Sequence, residues 1–366
     1  MKTILILIDQ LYNHGGIEKL VAIKANYWSE KFGYNVIIVS TEQQNKPPVY
    51  HLSDKVEFID IGIRYHRSIS FFHPKNFKKI YFNVKELKKI LYKRKPDFVL
   101  VASHIPMTYI LPFLNTKIKI IKEFHYSKFN RKKSRKERIF SSIEKQYDYL
   151  VVLSPEEKTF YPSNNVKVIP NPVISLPKAV ADINEKPYIA GAILRFAPVK
   201  QIEKMVEVWE LFYRQNSNWK LYIYGATDND YFENILKLVT AKNLEETIIF
   251  QGQTDNVAEA ISDMKLMLMT SANECFPMVI LEANSCGVPV ISFDSPTGPR
   301  NIITHNFDGI IVPLNDCAKF ADELDHLAKD EIKLKTLSEN AVSTANKYLI
   351  DDVMLLWKNE IFDNNA

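Results

Sequence analysis

Glu274-Cys-Phe-Pro-Met-Val-Ile-Leu-Glu282 decides the reading of this chain. Two carboxylates stand eight positions apart where a strand gives way to a helix. Ahead of them, Lys265-Leu-Met-Leu-Met-Thr270 has the apolar run of a short buried strand. Pro277 suits a first helical position, where its missing N–H is lost at no cost. Gly287 suits the helix end, and Val288-Pro-Val-Ile-Ser292 opens the next strand. The pattern places Glu274 in the loop at a strand's carboxyl end and Glu282 about a turn inside the helix. In an open α/β sheet that edge is where ligands bind. The N–H groups from Phe276 to Val279 favour a phosphate there. An acid, a phosphate cradle and a second acid suit a nucleotide-sugar.

The same alternation runs outward in both directions. Strands are expected at Thr3–Ile8, Asn35–Ser40, Val56–Ile59, Phe98–Ala102, Lys119–Glu123, Tyr149–Leu153 and Val166–Ile169, with helices at Gly16–Lys31, Phe77–Lys93 and Lys136–Gln146. Pro170 to Pro187 is rich in proline and poor in pattern, as in a linker. A second series follows at Tyr188–Leu194, Trp219–Tyr224, Thr247–Phe250, Leu266–Thr270 and Val290–Phe293. Its helices are Lys200–Gln215, Tyr231–Lys242 and Asn256–Asp263, and Ile332 to Phe362 is helical by periodicity. Strands alternating with helices predict two α/β domains of Rossmann-like type.

Length and composition fit this. A chain of 366 residues, 46% hydrophobic, holds two domains with separate cores. Met1-Lys-Thr-Ile-Leu-Ile-Leu-Ile8 runs straight into Asp9, so it reads as a first strand and not a signal peptide. No run approaches the ~18 apolar residues of a membrane span. Cys275, Cys286 and Cys317 lack metal-ligand spacing, and their odd number argues against a disulfide framework. A cytoplasmic protein is expected, with peripheral contact at the inner membrane face as an option.

The net charge of +4 conceals a split. Residues 1–180 carry 31 Lys+Arg against 15 Asp+Glu; residues 181–366 carry 16 against 28. Lys75 to Lys95 holds nine cations and one acid, and Lys117 to Arg138 ten cations and two acids. Such lysine-rich stretches are either solvated helix faces or surfaces for an anionic leaflet, at ~1 kcal/mol per cation. Nucleic acid is the weaker partner, because no helix-turn-helix, RNP-like or zinc pattern accompanies the charge.

Four elements in register resemble the retaining GT-B glycosyltransferases of family 4. They are the E-x7-E segment, Arg195-Phe-Ala-Pro-Val-Lys200 (an R-x4-K element), Asn13-His-Gly-Gly-Ile-Glu18 and Val168-Ile-Pro-Asn171. The resemblance covers nearly the whole chain and is nearest to enzymes of bacterial surface-polysaccharide assembly. It implies an acceptor-binding domain over 1–172, a nucleotide-sugar domain over 187–349 facing it across a cleft, and a helix over 350–366 crossing back to the first domain. It implies retaining transfer of a hexosyl unit from a nucleoside-diphosphate sugar, UDP by family frequency, to a glycan or lipid-linked acceptor. By the same resemblance Arg195 and Lys200 hold the diphosphate with the helix start at Phe276, Pro277, Met278 and Val279. Glu282 receives the ribose hydroxyls, Glu274 contacts the donor sugar near its reacting face, and Gly15 and Gly16 form the N-terminal glycine loop. With two cations and a helix N-terminus present, neither a metal nor another cofactor is needed.

His125, in Ile121-Lys-Glu-Phe-His-Tyr126, resembles the family histidine that reaches the donor sugar; a strand-end histidine capping a carbonyl is the alternative. His104 is a candidate of the same kind. Gln253 and Thr254 lie where the family reads the nucleotide base, and Arg300, ending Ser295-Pro-Thr-Gly-Pro-Arg300, lies near the phosphate or acceptor; a plain surface loop is the alternative for each. Two positions depart from the pattern: Cys275 and Gln201 stand where the family favours a small residue and a glycine. Asp228-Asn-Asp230 matches the letters of a metal-binding D-x-D, but an acidic loop accounts for it better, since divalent cations need more oxygens than two. Other classes stay open: a GT-B relative with epimerase or phosphorylase chemistry, or a basic membrane- or nucleic-acid-binding module without turnover.

Overall fold

The computed structural model describes residues 1–114, 117–129, 135–161, 163–174, 177 and 180–364, the side chains of 135–137 excepted. Parts of the Lys117–Arg138 basic run and of the Pro170–Pro187 linker thus lie outside the described residues. The chain divides into two units, Met1–Ile169 with Val353–Ala366, and Pro170–Asp352.

The first unit is built on β1 (Thr3–Ile8), β2 (Asn35–Ser40), β3 (Val56–Asp60), β4 (Phe98–Val101), β5 (Lys119–Glu123), β6 (Tyr149–Val152) and β7 (Val166–Val168). Their order is β3-β2-β1-β4-β5-β6-β7, every pair parallel. Helices α1 (Gly16–Glu30), α2 (Pro74–Arg94), α3 (Met107–Ile110), α4 (Arg135–Glu144) and α5 (Pro155–Lys158) connect them. β1 and β2 are apolar nearly throughout because a parallel sheet is covered on both faces.

The second unit repeats the plan with β8 (Ile189–Ile193), β9 (Lys220–Tyr224), β10 (Ile248–Gly252), β11 (Leu266–Met269), β12 (Val290–Phe293) and β13 (Gly309–Val312). The order is β10-β9-β8-β11-β12-β13, again all parallel. Its helices are α6 (Ile202–Tyr213), α7 (Asp230–Ala241), α8 (Val257–Ser262), α9 (Met278–Ser285), α10 (Cys317–Lys329) and α11 (Glu331–Ala345). Trp209, Phe212 and Trp219 pack ring to ring in its core, and Trp209 Nε1 donates to Thr247 Oγ1 at 3.1 Å, so the indole's polar atom is not stranded. Two parallel Rossmann-like sheets with helices between their strands are the architecture of the GT-B fold.

A last helix, α12 (Ile350–Trp357), runs on as a wider turn over Lys358–Phe362. Trp357 and Phe362 pack edge-on against the fully buried Trp28 of α1, with centroids 5.4 and 5.0 Å away. Truncating such a ring typically costs about 3–5 kcal/mol.

Several boundaries move from expectation. The tail is not one helix: α11 ends at Ala345, and Leu349 (ψ 143°) breaks the path before α12. α10 and the edge strand β13 were not anticipated. Lys200 lies in a 3-10 turn over Pro198–Lys200 ahead of α6, and Pro277 is the residue before α9, with extended backbone, so Met278 is the first helical residue. In Asp228-Asn-Asp230, Asn229 caps α7, its Oδ1 accepting from Phe232 N at 3.0 Å. The string is thus a helix start.

Candidate active site

Each sheet reverses its strand order once, between β1 and β4 and between β8 and β11. Ligands of open α/β sheets bind outside the carboxyl ends of the strands at such points.

In the second unit that point gathers the charged residues. β8 ends at Ile193, and Arg195 follows it, exposed. The chain then turns through Pro198–Lys200 into Gln201, whose φ of 47° lies in the left-handed region. That conformation explains why a glycine suits this position. β11 holds the turn from the other side. Thr270 Oγ1 donates to Lys200 O (3.1 Å) and Gln201 O (3.2 Å), and Ala272 N donates to Val199 O at 2.8 Å. Lys200 Nζ meets Glu274 Oε1 at 2.6 Å, with both side chains only part-exposed (23% and 13%). The two charges predicted for donor phosphate and donor sugar are therefore brought together.

Glu274 is backed by the Ser295–Arg300 loop. Thr297 Oγ1 donates to Glu274 O at 3.3 Å, and Gly298 lies so near that a Cβ there would stand 2.5 Å from Glu274 Cβ. Arg300 Nε reaches Asp294 Oδ1 at 2.9 Å, so its described ion pair anchors the loop. Cys275 and Phe276 are buried; Asn171 Nδ2 donates to Phe276 O at 3.3 Å. No side chain caps α9, whose first residues Met278 and Val279 are half-buried, and Glu282 is half-buried on the same helix. Backbone N–H groups and a partial positive charge are therefore available at the α9 start, next in chain to Glu274. Gln253 is exposed beyond β10, and Thr254 Oγ1 accepts from Asn256 N at 3.1 Å, a local turn ahead of α8. No described contact joins either to Glu274 or Lys200.

In the first unit Gly15 precedes α1 and Gly16 opens it. Gln10 ties this loop: its Oε1 accepts from Asn13 N at 2.9 Å and its Nε2 donates to Glu18. A Cβ at Gly15 would collide with the Glu18 carboxylate, whereas one at Gly16 would meet nothing within 4 Å. His104, just past β4, and His125, just past β5, line one small cavity of about 30 Å³ with Tyr109, Lys122 and Glu144. Beside the ends of β2 and β3 lies a larger cavity of about 410 Å³, lined by Glu42, Gln44, Arg64, Tyr65 and Arg67. Arg67 is clamped there between Asp9 and Glu42, 2.9 Å from each.

His125 belongs to a buried charge cluster. Lys24, 1% exposed on α1, pairs with Glu123 Oε1, and Glu123 Oε2 lies 3.3 Å from His125 Nε2. Lys24 Nζ also sits 4.8 Å from the centre of the Trp357 ring. Burial pushes the Lys24 ammonium down from its usual value, against the pull of Glu123. Burial pushes the Glu123 carboxyl up, but Lys24 and His125 outweigh it and hold it well below the usual range. Burial likewise lowers His125, with Glu123 opposing. Glu123 thus stands between a buried lysine and a buried imidazole, one carboxylate oxygen turned to each.

Sequence reasoning missed Lys24, Glu123, Gln10 and the backing role of Gly298. A lysine on the apolar stripe Leu20, Val21, Ala25, Trp28 was the available signal for Lys24. Among the described residues no helix is long and apolar enough to cross a membrane.

Comparison with known proteins bears on the family and the fold. The family model for "Glycosyl transferases group 1" matches residues 176–344 and that for "Glycosyltransferase Family 4" residues 14–174. The chain is 24% identical to an uncharacterized glycosyltransferase of Haemophilus influenzae, over 98% of this chain and 99% of that protein. It is 25% identical to AmsD, the amylovoran biosynthesis glycosyltransferase of Erwinia amylovora, over the same shares. Its fold is similar to that of a TarM variant from S. aureus solved with fondaparinux, α-GlcNAc-glycerol and UDP, at a TM-score of 0.79, 16% identity and coverage of 98% of this chain and 99% of that one. With both units matched and the sheet order in place, the chain belongs to the family 4 glycosyltransferases of GT-B fold.

Proposed function

We propose that this glycosyltransferase moves a hexosyl unit from a UDP-sugar to a glycan or lipid-linked acceptor, with retention at the anomeric carbon, in cell-surface polysaccharide assembly. The observation that carries the reading is the Lys200–Glu274 pair, held at the β8/β11 switch point one residue-run before the uncapped start of α9. Arg195, Lys200 and the N–H groups of Met278 and Val279 would take the diphosphate, and Glu282 the ribose. The cations and helix N-terminus then supply the charge compensation, so the transfer proceeds without a metal. UDP in the TarM structure and the naming of AmsD support the donor and the pathway class.

The reaction passes through an oxocarbenium-like sugar. In our reading the C1–O bond to the diphosphate breaks, the acceptor oxygen bonds C1 from the same face, and the acceptor's hydroxyl proton passes to the departing phosphate oxygen. Glu274 steadies the sugar, and His125 serves its hydroxyls. The 410 Å³ cavity beside Arg67 is the acceptor subsite we favour, its Glu42 carboxylate and the guanidinium groups of Arg64 and Arg67 suiting hydroxyl-rich ligands. α2, with Phe77, Tyr81 and Phe82 exposed among its lysines, gives the first unit a surface for an anionic inner leaflet.

Thermal stabilisation by UDP-, GDP-, ADP- and CDP-sugars, with and without EDTA, tests the donor reading. A shift with UDP-sugars that EDTA leaves intact and Glu282→Ala abolishes is expected. A shift only with another base would replace the donor, and no shift with any would return the chain to a binding role.

A further inference from the structure

Burying an ion pair is expensive, and apolar residues of the same shape would often give equal or better stability. The Lys24–Glu123 pair is almost wholly out of water, 2% exposed on each side chain. Its second carboxylate oxygen, Glu123 Oε2, makes no good hydrogen bond, and neither does His125 Nε2, the atom 3.3 Å from it. Glu123 is the last residue of β5 and His125 follows two positions later, which leaves the free carboxylate oxygen facing the imidazole. Lys24 occupies the other oxygen.

We propose that Lys24 and Glu123 are positioning residues for His125, holding its imidazole neutral with the proton on Nε2 and leaving Nδ1 as a hydrogen-bond acceptor. A carboxylate facing one ring nitrogen keeps the proton there, and so fixes both tautomer and ring orientation. The lysine decides the charge. With Lys24 present, Glu123 is already neutralised and does not draw a second proton onto the ring. Without it, the unpaired buried carboxylate would be compensated by protonating His125, and the acceptor Nδ1 would become a donor. Among the described residues, the other titratable groups lining the cavity with His125 are Lys122 on β5, His104 and Tyr109 after β4, Tyr126 beside it in sequence, and Glu144 of α4. Lys122 Nζ is committed to Val101 O and Ser103 O, at 3.2 and 2.9 Å, and remains in every variant below. The consequence for transfer rests on the reading of His125 given above; the tautomer does not.

Side-chain nitrogen NMR of histidine-labelled full-length protein tests this, with the His125 signals identified by their loss in His125→Gln. In the wild type we expect the Nε2–H tautomer at pH 7. Lys24→Met should raise the titration of His125 by about one pH unit or more, as an unscreened carboxylate does, and Glu123→Gln should not raise it. The double variant Lys24→Met/Glu123→Gln, uncharged and able to fold if the single changes are not, should keep the Nε2–H tautomer through the amide oxygen. Lys24→Met/Glu123→Leu should lose it to a mixture. An Nδ1–H tautomer in the wild type, or a tautomer indifferent to Glu123→Leu, would overturn the proposal, as would an unmoved titration in folded Lys24→Met. Transfer measured across pH 5–9 separates the two readings. A rate that rises with pH in Lys24→Met, tracking the shifted titration, supports both; the expected NMR with an unchanged pH profile supports the positioning and removes His125 from the reaction.

Discussion

Adding one methyl group at Gly298 should disable the enzyme while leaving it folded. A Cβ built there stands 2.5 Å from Glu274 Cβ and 3.1 Å from both the C and O of the Glu274 backbone. Carbon atoms rest about 3.5–4.0 Å apart, so the two loops must separate by about 1 Å. The Gly298 side is poorly placed to yield: Thr297 is fully buried with φ 61°, its hydroxyl bound to Glu274 O, and Pro299 behind it is buried. The displacement therefore falls on Glu274. Overpacking of this kind costs about 1–3 kcal/mol, which at about 2–4 °C per kcal/mol lowers the melting temperature by roughly 2–12 °C. A misplacement of about 1 Å at a reacting centre removes on the order of 100-fold in rate. Gly298→Ala should thus lose about two decades of kcat/KM for transfer from the donor the stabilisation panel identifies. Scanning fluorimetry and a radiolabelled transfer assay read the two effects. Wild-type turnover in Gly298→Ala would refute the claim that this loop sets the position of Glu274, whatever happened to the melting temperature.

Three further substitutions test neighbouring steps. Lys200→Met removes one partner of a part-exposed pair, so stability should change by no more than about 1 kcal/mol. Donor affinity should fall about 10- to 100-fold, as for a lost charged hydrogen bond; calorimetric titration with the nucleotide separates the two, and unchanged affinity would remove Lys200 from the phosphate site. Gln201→Gly relieves a left-handed φ worth roughly 1–2 kcal/mol, offset by roughly 0.5–1 kcal/mol of added chain entropy, so the melting temperature should rise by a few degrees or less, and a fall would show that the side chain itself is needed. Asp308 is buried, which raises its carboxyl above the usual value against the opposing bonds from Thr344 and Thr304. A raised acid contributes stability below its unfolded pKa and loses it as pH climbs through the folded one. Asp308→Asn should therefore gain on the wild type between pH 4 and pH 8, and a constant difference in melting temperature across that range would contradict it.

The parallel sheets were legible because buried strands carry a local signal, an apolar run of a few residues between turn formers. Thr3–Ile8, Asn35–Ser40, Lys119–Glu123 and Val290–Phe293 were read residue for residue. What escaped was set by tertiary contact. β13 is an edge strand of only four residues, Gly309–Val312, seated by β12 and not by its own pattern. The tail reads as one helix by period alone, yet Leu349 is drawn to extended backbone beside Val173, a partner far away in sequence. The E-x7-E segment announced its strand, loop and helix, but Lys200 and Glu274 are 74 positions apart, and nothing local says that they touch. The buried cluster had faint signs, a lysine on an apolar helix stripe and a Lys-Glu pair inside a central strand, and each alone resembles an ordinary snorkelling side chain.

Lys200 and Glu274 are better regarded as one rigid piece than as two residues on flexible loops. The turn bearing Lys200 is fixed at its base by Thr270 and Ala272, both at the end of β11, and Glu274 follows from the same strand end two residues later. The backbone under Lys200 cannot shift without breaking hydrogen bonds to a buried threonine, 1% exposed, and Glu274 O is held in turn by Thr297 Oγ1. Their mutual attraction is thus not what holds them in place; the strand end is. That distinction has a consequence for a diphosphate competing for Lys200 Nζ: it needs only to redirect the tip of one side chain, while the ammonium's base and the Glu274 backbone stay where they are. Because little structure must be reordered, the energy of the new charged hydrogen bonds goes into binding rather than into reorganisation. A site of this construction is sensitive to what lies behind it, at Gly298 and Thr270, about as much as to the charges in front.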